Sequence, residues 1–184
     1  SIVYCISRKD TESMAGALQA RGIRAEAYHA GLDPVARRRI QDDFAAERLN
    51  VVIATVAFGM GIDRSDVRCV IHAAMPKSIE AYQQETGRAG RDGLPAECLL
   101  LYSGSDPMRW AELIERSAAE TGASDESVAN QRRLLDQMHR FCAGAACRRR
   151  ALSEYFGQPY AAAGCGACDV CLGETAALPA ADAL

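Results

Sequence analysis

The chain has 184 residues, of which 49% are hydrophobic and 24% charged, so it can bury a core of ordinary domain size and is no disordered tail. A formal net charge of −3 gives no global field that would announce a polyanion, so any nucleic-acid site must be local. No apolar run approaches the roughly 20 residues that span a bilayer, and no charged start followed by an apolar stretch and a small-residue cleavage site marks secretion.

Taken in order, Ile2 to Ile6 reads as a buried strand, β-branched and aromatic. A chain that opens directly in a strand without Met looks cut from something longer. Ser7 to Thr11 reads as a polar turn, with Asp10 or Thr11 capping a helix whose apolar positions are Met14, Ala17 and Leu18 and whose terminator is Gly22. Ala25 to His29 is a second strand. Asp33-Pro34 opens a helix as N-cap and first helical residue, with Val35, Ile40 and Phe44 inward and Arg37, Arg38 and Arg39 on a solvated edge.

Asn50 to Thr55 is an unbroken apolar strand, the pattern of a strand buried on both faces of a parallel sheet. A loop from Val56 to Asp63 follows, then a strand from Cys69 to Met75. Ser78 caps a helix towards Gly87, Cys98 to Tyr102 is a strand, and Asp106-Pro107 starts a helix through Trp110, Leu113 and Ile114. Alternating strand and helix predict βαβ units and a parallel α/β sheet. Residues 120–125 read as a linker, after which two helices follow without strands. The first carries Val128, Leu134, Leu135, Met138 and Phe141, and the second runs from about Cys147 to Phe156. Arg132, Arg133, Arg140, Arg148, Arg149 and Arg150 gather there, either as a face for phosphates or as partners for acids. Beyond residue 172 the chain is small-residue-rich and expected to fray.

Gln83 to Gly93 contains Gly87-Arg88-Ala89-Gly90-Arg91, two guanidinium forks in a turn that glycine lets another body approach closely. In open α/β sheets ligands lie outside the carboxyl ends of the strands. Ser7 and Arg8, Thr55 to Asp63 and the arginine turn all reach that edge on this reading. Thr55 can donate to a phosphate, Gly59 and Gly61 permit close approach, and Asp63 can accept from a ribose hydroxyl. No Gly-x-x-x-x-Gly-Lys-Ser/Thr occurs and no paired acids stand ready for Mg²⁺, so the chain should not hydrolyse ATP alone. Its arginines could act only as a finger lent to another domain.

Cys5, Cys69 and Cys98 lie in strand-like apolar runs, where cysteine is most often a small buried hydrophobe. The other five crowd between Cys142 and Cys171, which favours metal over disulfides. Cys165, Cys168 and Cys171 put three thiols at steps of three, and tetrahedral zinc needs a fourth. Cys147, at a helix start, and Cys142, beside Phe141, are both candidates. An iron–sulfur site is disfavoured because Leu172-Gly173 follows where a Cys followed by Pro would be expected.

Tyr28-His29-Ala30-Gly31-Leu32, Ala54 to Asp63, and the joined Gln84 to Gly93 stretch continuing Leu94-Pro95-Ala96 resemble the RecQ family of DNA helicases over roughly residues 1–172. The resemblance implies a second RecA-like domain over 1–120, a helical zinc-binding module over 121–172, and a flexible tail over 173–184. It places Ser7 and Arg8 in motif IV, Thr55 to Asp63 in motif V, and Arg88 and Arg91 in motif VI. It implies that Arg91 is the finger on the γ-phosphate and that Arg88 supports the cleft. Gly61, Asp63 and Gly87 would join them at the nucleotide, while Ser7, Arg8, His29 and Thr55 would touch DNA. The match of Cys147-Arg148-Arg149 and Tyr155-Phe156-Gly157 chooses Cys147 as fourth ligand to a structural zinc. The implied protein is a monomeric, cytoplasmic (nucleoid-associated if bacterial) 3′→5′ helicase of DNA repair, recombination and replication. It would share ATP and Mg²⁺ with a preceding RecA-like domain and act on single-stranded DNA and duplex junctions. The alternatives are a free-standing zinc-bearing module that binds nucleic acid or protein, and an RNA helicase of the related superfamily.

Overall fold

The computed structural model describes residues 1–55, 58 and 64–175. Gly59, Gly61 and Asp63 of the expected phosphate-approaching loop lie outside the described residues. The chain divides into two compact units, Ser1–Met138 and His139–Leu184.

The first unit is the α/β domain that the alternation predicts. Its strands are β1 (Ile2–Tyr4), β2 (Ala25–Tyr28), β3 (Val51–Ala54), β4 (Cys69–His72) and β5 (Glu97–Leu100). They form one sheet in the order β2-β3-β1-β4-β5, every pair parallel. The helices are α1 (Arg8–Gln19), α2 (Pro34–Ala45), α3 (Ile79–Thr86), α4 (Asp106–Thr121) and α5 (Asp125–Ala143), the last of which runs on into the second unit. α4 ends at Gly122, whose φ of +66° suits glycine, and the expected linker shrinks to the few residues before Asp125.

Both faces of the sheet are covered, which is why its central strands are continuously apolar. Ile2, Tyr4, Val52, Ala54 and Val70 pack with Ile40 and Phe44 of α2 on one face. Val3, Cys5, Ala25 and Ile53 pack with Met14, Ala15 and Leu18 of α1 on the other. Val35 is not inward but 78% exposed. It sits five residues before Ile40, off the i, i+4 stripe that carries Ile40 and Phe44.

α1 starts earlier than expected. Ser7, not Asp10 or Thr11, is its cap: the Ser7 hydroxyl oxygen accepts from the Asp10 N–H at 3.1 Å. Thr11 is instead buried and donates its hydroxyl to the Arg8 carbonyl at 2.6 Å. Cys5 is buried as expected, but Cys69 is only half-buried and Cys98 is exposed. Their strands approach the open edge, where β5 has a neighbour on one side only.

Asp106 does more than open α4. Its carboxylate is 3% exposed and accepts from the N–H groups of Met75 and Ser103, both at 3.0 Å. The Trp110 indole donates to the Met75 carbonyl at 2.6 Å, so the segment after β4 is fixed to α4 from two sides. Asp33 caps α2 at the surface, accepting from Val35 and Ala36 at 2.9 Å each. Removing the surface cap leaves its donors to water, whereas removing the buried one strands them. Asp33→Ala should therefore cost about 1 kcal/mol and Asp106→Ala about 3 kcal/mol. Urea unfolding of the chain, with an unchanged slope against denaturant, measures both.

Candidate nucleotide edge and metal centre

Four parallel strands end together. In the sheet register Tyr4 pairs with both Ala54 and His72, and Tyr28 with Ala54. The residues just after each strand are thereby delivered to a single edge, the place where such sheets bind ligands. Ser7 and Arg8 come after β1, His29 after β2, and Thr55 after β3, its N–H bonded to the Tyr28 carbonyl at 3.2 Å.

The structure places Ser7, Arg8, His29 and Thr55 of the expected set at this edge. Ser7 spends its oxygen on the α1 cap. Arg8 is exposed at the first position of α1, and His29 is buried with its Nε2 3.1 Å from Glu12 Oε1. A Cβ at Gly31 would stand 2.9 Å from Arg8 Nη1 and 3.2 Å from His29 Nδ1. Glycine is what lets these two side chains meet over the backbone. His29 Nδ1 is buried without a hydrogen-bond partner among the described residues.

The arginine turn closes α3. Ser78 caps the helix start, accepting from the Ala81 N–H at 3.2 Å, and Gly87 ends it with its N–H on the Gln83 carbonyl at 3.0 Å. The chain then turns back to the sheet, where the Gly90 N–H meets the Val67 carbonyl at 2.9 Å. Gly90 has φ of +61°, and a Cβ there would stand 2.8 Å from the Leu94 carbonyl oxygen. That position is reserved for glycine on two counts. The turn presents its two arginines differently. Arg88 is half-buried, while Arg91 is exposed and steadied by its Nε donating to the Gly87 carbonyl at 3.1 Å.

Beneath Arg88 lies a polar group that sequence reasoning missed. His72 Nε2 and Glu85 Oε2 are 2.7 Å apart and both residues are buried. Tyr4 stacks on His72 with ring centroids 5.3 Å apart, and Tyr82 tilts against it at 5.2 Å. Burial pushes the Tyr4 phenol up to about 12, opposed by the charge of Arg88 and a side-chain hydrogen bond from it. A small cleft lined by Tyr4, His72, Met75, Lys77, Glu85 and Trp110 opens beside them. The only signal for this group in the sequence is a polar residue inside each apolar element, which taken singly says nothing.

In the second unit, Cys147, Cys165, Cys168 and Cys171 bring their sulfurs within 4.8 Å of one another. Cys147 is the residue before α6 (Arg148–Tyr155), and Cys168 precedes a short helix, α7 (Asp169–Leu172), that the sequence does not signal. The Cys165 and Cys171 sulfurs are 3.9 Å apart, close to the edge of about 3.8 Å that a tetrahedron of zinc–sulfur bonds near 2.3 Å requires. One ion fits between them; a cluster of several irons does not. Gly164 makes room, since a Cβ there would stand 2.8 Å from the Cys171 sulfur.

The thiols are electrostatically unequal. Cys147 is lowered to about 6, chiefly because the Arg150 backbone N–H donates to its sulfur. The Gly166 N–H pulls Cys171 down as well, but the Cys168 and Cys147 sulfurs outweigh it and that thiol is raised. Ionising all four sulfurs at this spacing would need a cation among them. Cys142 is not in the cluster, which agrees with Cys147 as the fourth member.

Arg148 braces this unit. It grips Asp169 with Nε and Nη2 at 2.9 and 2.8 Å, and its Nη1 donates to the carbonyls of Phe141 and Gly144 at 2.6 and 2.8 Å. Its guanidinium also lies 5.6 Å from the Phe141 ring centroid. Arg150 donates to the carbonyls of Ala162 and Ala163 at 2.7 and 2.6 Å. Arg132, in the first unit, pairs with Glu115. Much of the basic cluster is therefore committed within the chain, leaving Arg149 exposed.

These two sites have counterparts in known proteins. Residues 1–93 match the helicase conserved C-terminal domain, and residues 104–172 match the RecQ zinc-binding region. The chain is 45% identical to the RecQ-like DNA helicase blm-1 of Caenorhabditis elegans, covering 92% of this chain and 17% of that protein. It is 43% identical to the ATP-dependent DNA helicase RecQ of Haemophilus influenzae, covering 93% of this chain and 27% of that one. It thus spans between about a sixth and about a quarter of these relatives. Among solved structures, a DEAD box protein from Methanococcus jannaschii superposes with a TM-score of 0.52 at 29% identity, covering 63% of this chain and 32% of its own. The E. coli DEAD-box protein SrmB gives 0.51 at 27% identity, over 56% of this chain and 62% of its own. With a parallel sheet and arginine turn under the first match and four converging cysteines under the second, the chain belongs to the RecQ helicase family as its helicase C-terminal domain joined to its zinc-binding region.

Proposed function

We propose that this chain is the C-terminal half of the core of an ATP-dependent 3′→5′ DNA helicase, and that Arg91 is the finger it lends to a nucleotide held elsewhere. The observation that carries this reading is the asymmetry of the turn. Arg88 is half-buried against the sheet while Arg91 reaches outward from a backbone that two glycines shape. An exposed guanidinium on a rigid turn has the form needed to meet the charge that develops on a transferred phosphoryl group. Arg88, with Gly87 beside it, steadies the turn. A preceding RecA-like domain supplies the P-loop and the Mg²⁺ ligands, so the chain alone hydrolyses nothing. Gly61 and Asp63 are kept as nucleotide-side residues on sequence grounds.

DNA lies along the same carboxyl edge, on the backbone side rather than the base side. Arg8 and His29 across Gly31, with Thr55 next to Tyr28, are phosphate-binding chemistry, and Ser7 presents the start of α1 to them. Closure of the two RecA-like domains on ATP brings Arg91 to the γ-phosphate, and reopening after hydrolysis shifts these contacts along one strand. The functional division falls near residue 120, the protein works as a monomer on single strands and duplex junctions, and it acts in the cytoplasm, at the nucleoid in a bacterium. No helix among the described residues is long and apolar enough to cross a membrane.

Cys147, Cys165, Cys168 and Cys171 hold a structural zinc, since four thiolates leave no open position for water. Its folding energy stabilises a unit too small for a large core of its own. The competing reading, a non-enzymatic zinc-bearing binding module, gives the arginine turn no purpose.

Joined to its preceding domain, the protein should show DNA-stimulated ATP hydrolysis that Arg91→Ala lowers by about a thousandfold. Hydrolysis that survives Arg91→Ala would remove the finger from Arg91. Metal analysis should find one zinc per chain, lost in Cys147→Ser and retained in Cys142→Ser. Arg148→Ala should keep the four thiols but weaken zinc retention against a chelator by about tenfold to a hundredfold, because the brace between α6 and α7 is gone. Unchanged chelator resistance would reduce Arg148 to a surface ion pair.

A further inference from the structure

A finger arginine has to extend from a backbone that is held still. The stretch that carries Arg91 has no helix or strand of its own between the end of α3 and the start of β5. What holds it is the short strip of chain just before β4. The Gly90 N–H donates to the Val67 carbonyl at 2.9 Å and the Asp92 N–H to the Ser65 carbonyl at 3.2 Å, so the residues on either side of Arg91 are both tied down. Val67 is 1% exposed and belongs to the core, which makes the strip a firm base.

Side chains complete the frame. Arg68 is itself fixed to the sheet, its carbonyl accepting from the Glu97 N–H at 2.9 Å where β5 begins. Its Nη2 meets Asp92 Oδ1 at 2.5 Å, its Nη1 donates to the Pro95 carbonyl at 3.0 Å, and its Nε donates to the Asp66 carbonyl at 3.0 Å. The same Asp92 oxygen accepts from the Leu94 N–H at 3.1 Å, so this carboxylate is also the corner about which residues 92–94 turn. A guanidinium is planar, and bonds from its separate nitrogens fix both the distance and the angle between strip and turn. Yet the two side chains are 39% and 24% exposed, and so open an ion pair adds little to global stability.

We propose that Arg68 and Asp92 are positioning residues that set the direction of Arg91, Arg68 by bracing the turn and Asp92 by serving as its corner. The proposal rests on the finger role given to Arg91 under the proposed function. Both residues act on the backbone from which Arg91 extends, and Asp92 is its immediate neighbour in the chain. Misplacing a catalytic group by about 1 Å can lower a rate by about a hundredfold, so slack in this frame shows in kcat and not in folding. A finger that meets charge developing in the transition state leaves ground-state binding of ATP almost unchanged.

The test uses the protein joined to its preceding domain and reads DNA-stimulated ATP hydrolysis. The variants are Arg68→Ala, Asp92→Ala, the pair, and each single in an Arg91→Ala background. Neither side chain fills core space, so thermal unfolding should match the parent throughout. Each single should lower kcat by about tenfold with KM for ATP within about twofold, and the pair should lose no more than either single. With Arg91 already removed, neither should cost anything further. Losses that multiply, in the pair or on top of Arg91→Ala, would make the two residues independent contributors and overturn the positioning. So would singles whose kcat stays within about twofold of the parent, or falls only in step with a lowered unfolding temperature. If Arg91→Ala alone leaves hydrolysis intact, the finger reading fails and the positioning goes with it. If Arg91→Ala abolishes hydrolysis while the Arg68 and Asp92 variants stay active, the finger stands and only the positioning falls.

Discussion

The constraint on which everything else rests is that β1 lies in the middle of the sheet and is parallel to both neighbours. It is hydrogen-bonded to β3 on one side and β4 on the other, and both its faces are buried. Parallel pairing forces each strand to leave the sheet at the same edge and to return by a crossover. Polar groups that lie far apart in the chain are thereby delivered to one line. The apolar cores on the two faces make that line rigid, each fully buried Val, Ile or Phe contributing about 1.5–3 kcal/mol. Rigidity is what the proposed finger would need, because a guanidinium aids charge development only where it is already in place.

A second constraint operates in the zinc-binding unit, where apolar burial is thin. Few of its described side chains are fully buried, Cys147 being the exception at 8% exposed. Stability there has to come from polar geometry: four sulfurs that converge and an arginine that ties two helices and two carbonyls together. The first unit is a core with a polar rim; the second is a polar knot with little core. In that knot Arg148 is a central tie, since its five donors are nearly all in use.

The sheet was readable from the chain because continuous apolarity in Val51–Ala54 and the caps at Asp33 and Ser78 are local signals. The cysteine cluster was readable because three of its members sit at fixed steps. Other features depend on where strands lie, which no local pattern contains. Cys98 reads as buried until β5 proves to be the edge strand, and Val35 reads as core until the phase of α2 is fixed by Ile40 and Phe44. Ser7 hides as a cap because Asp10 and Thr11 offer the same chemistry within a few residues. The arginines after residue 130 read equally as a face for phosphates or as partners for acids, and only the fold brings Arg132, Arg148 and Arg150 to the partners they have.

The buried group under Arg88 is the strongest case of this kind. Tyr4, His72 and Glu85 come from three separate elements, and each has an ordinary reading in its own segment: aromatic core, polar strand end, helix surface. Together they form a single chain of contacts from β1 through β4 to the last turn of α3. A histidine and a glutamate would not both be buried for stability alone, since two well-packed apolar residues of the same volume would serve as well or better. What the pair fixes is geometry: it ties the end of β4 to the last turn of α3, the helix that leads into the arginine turn.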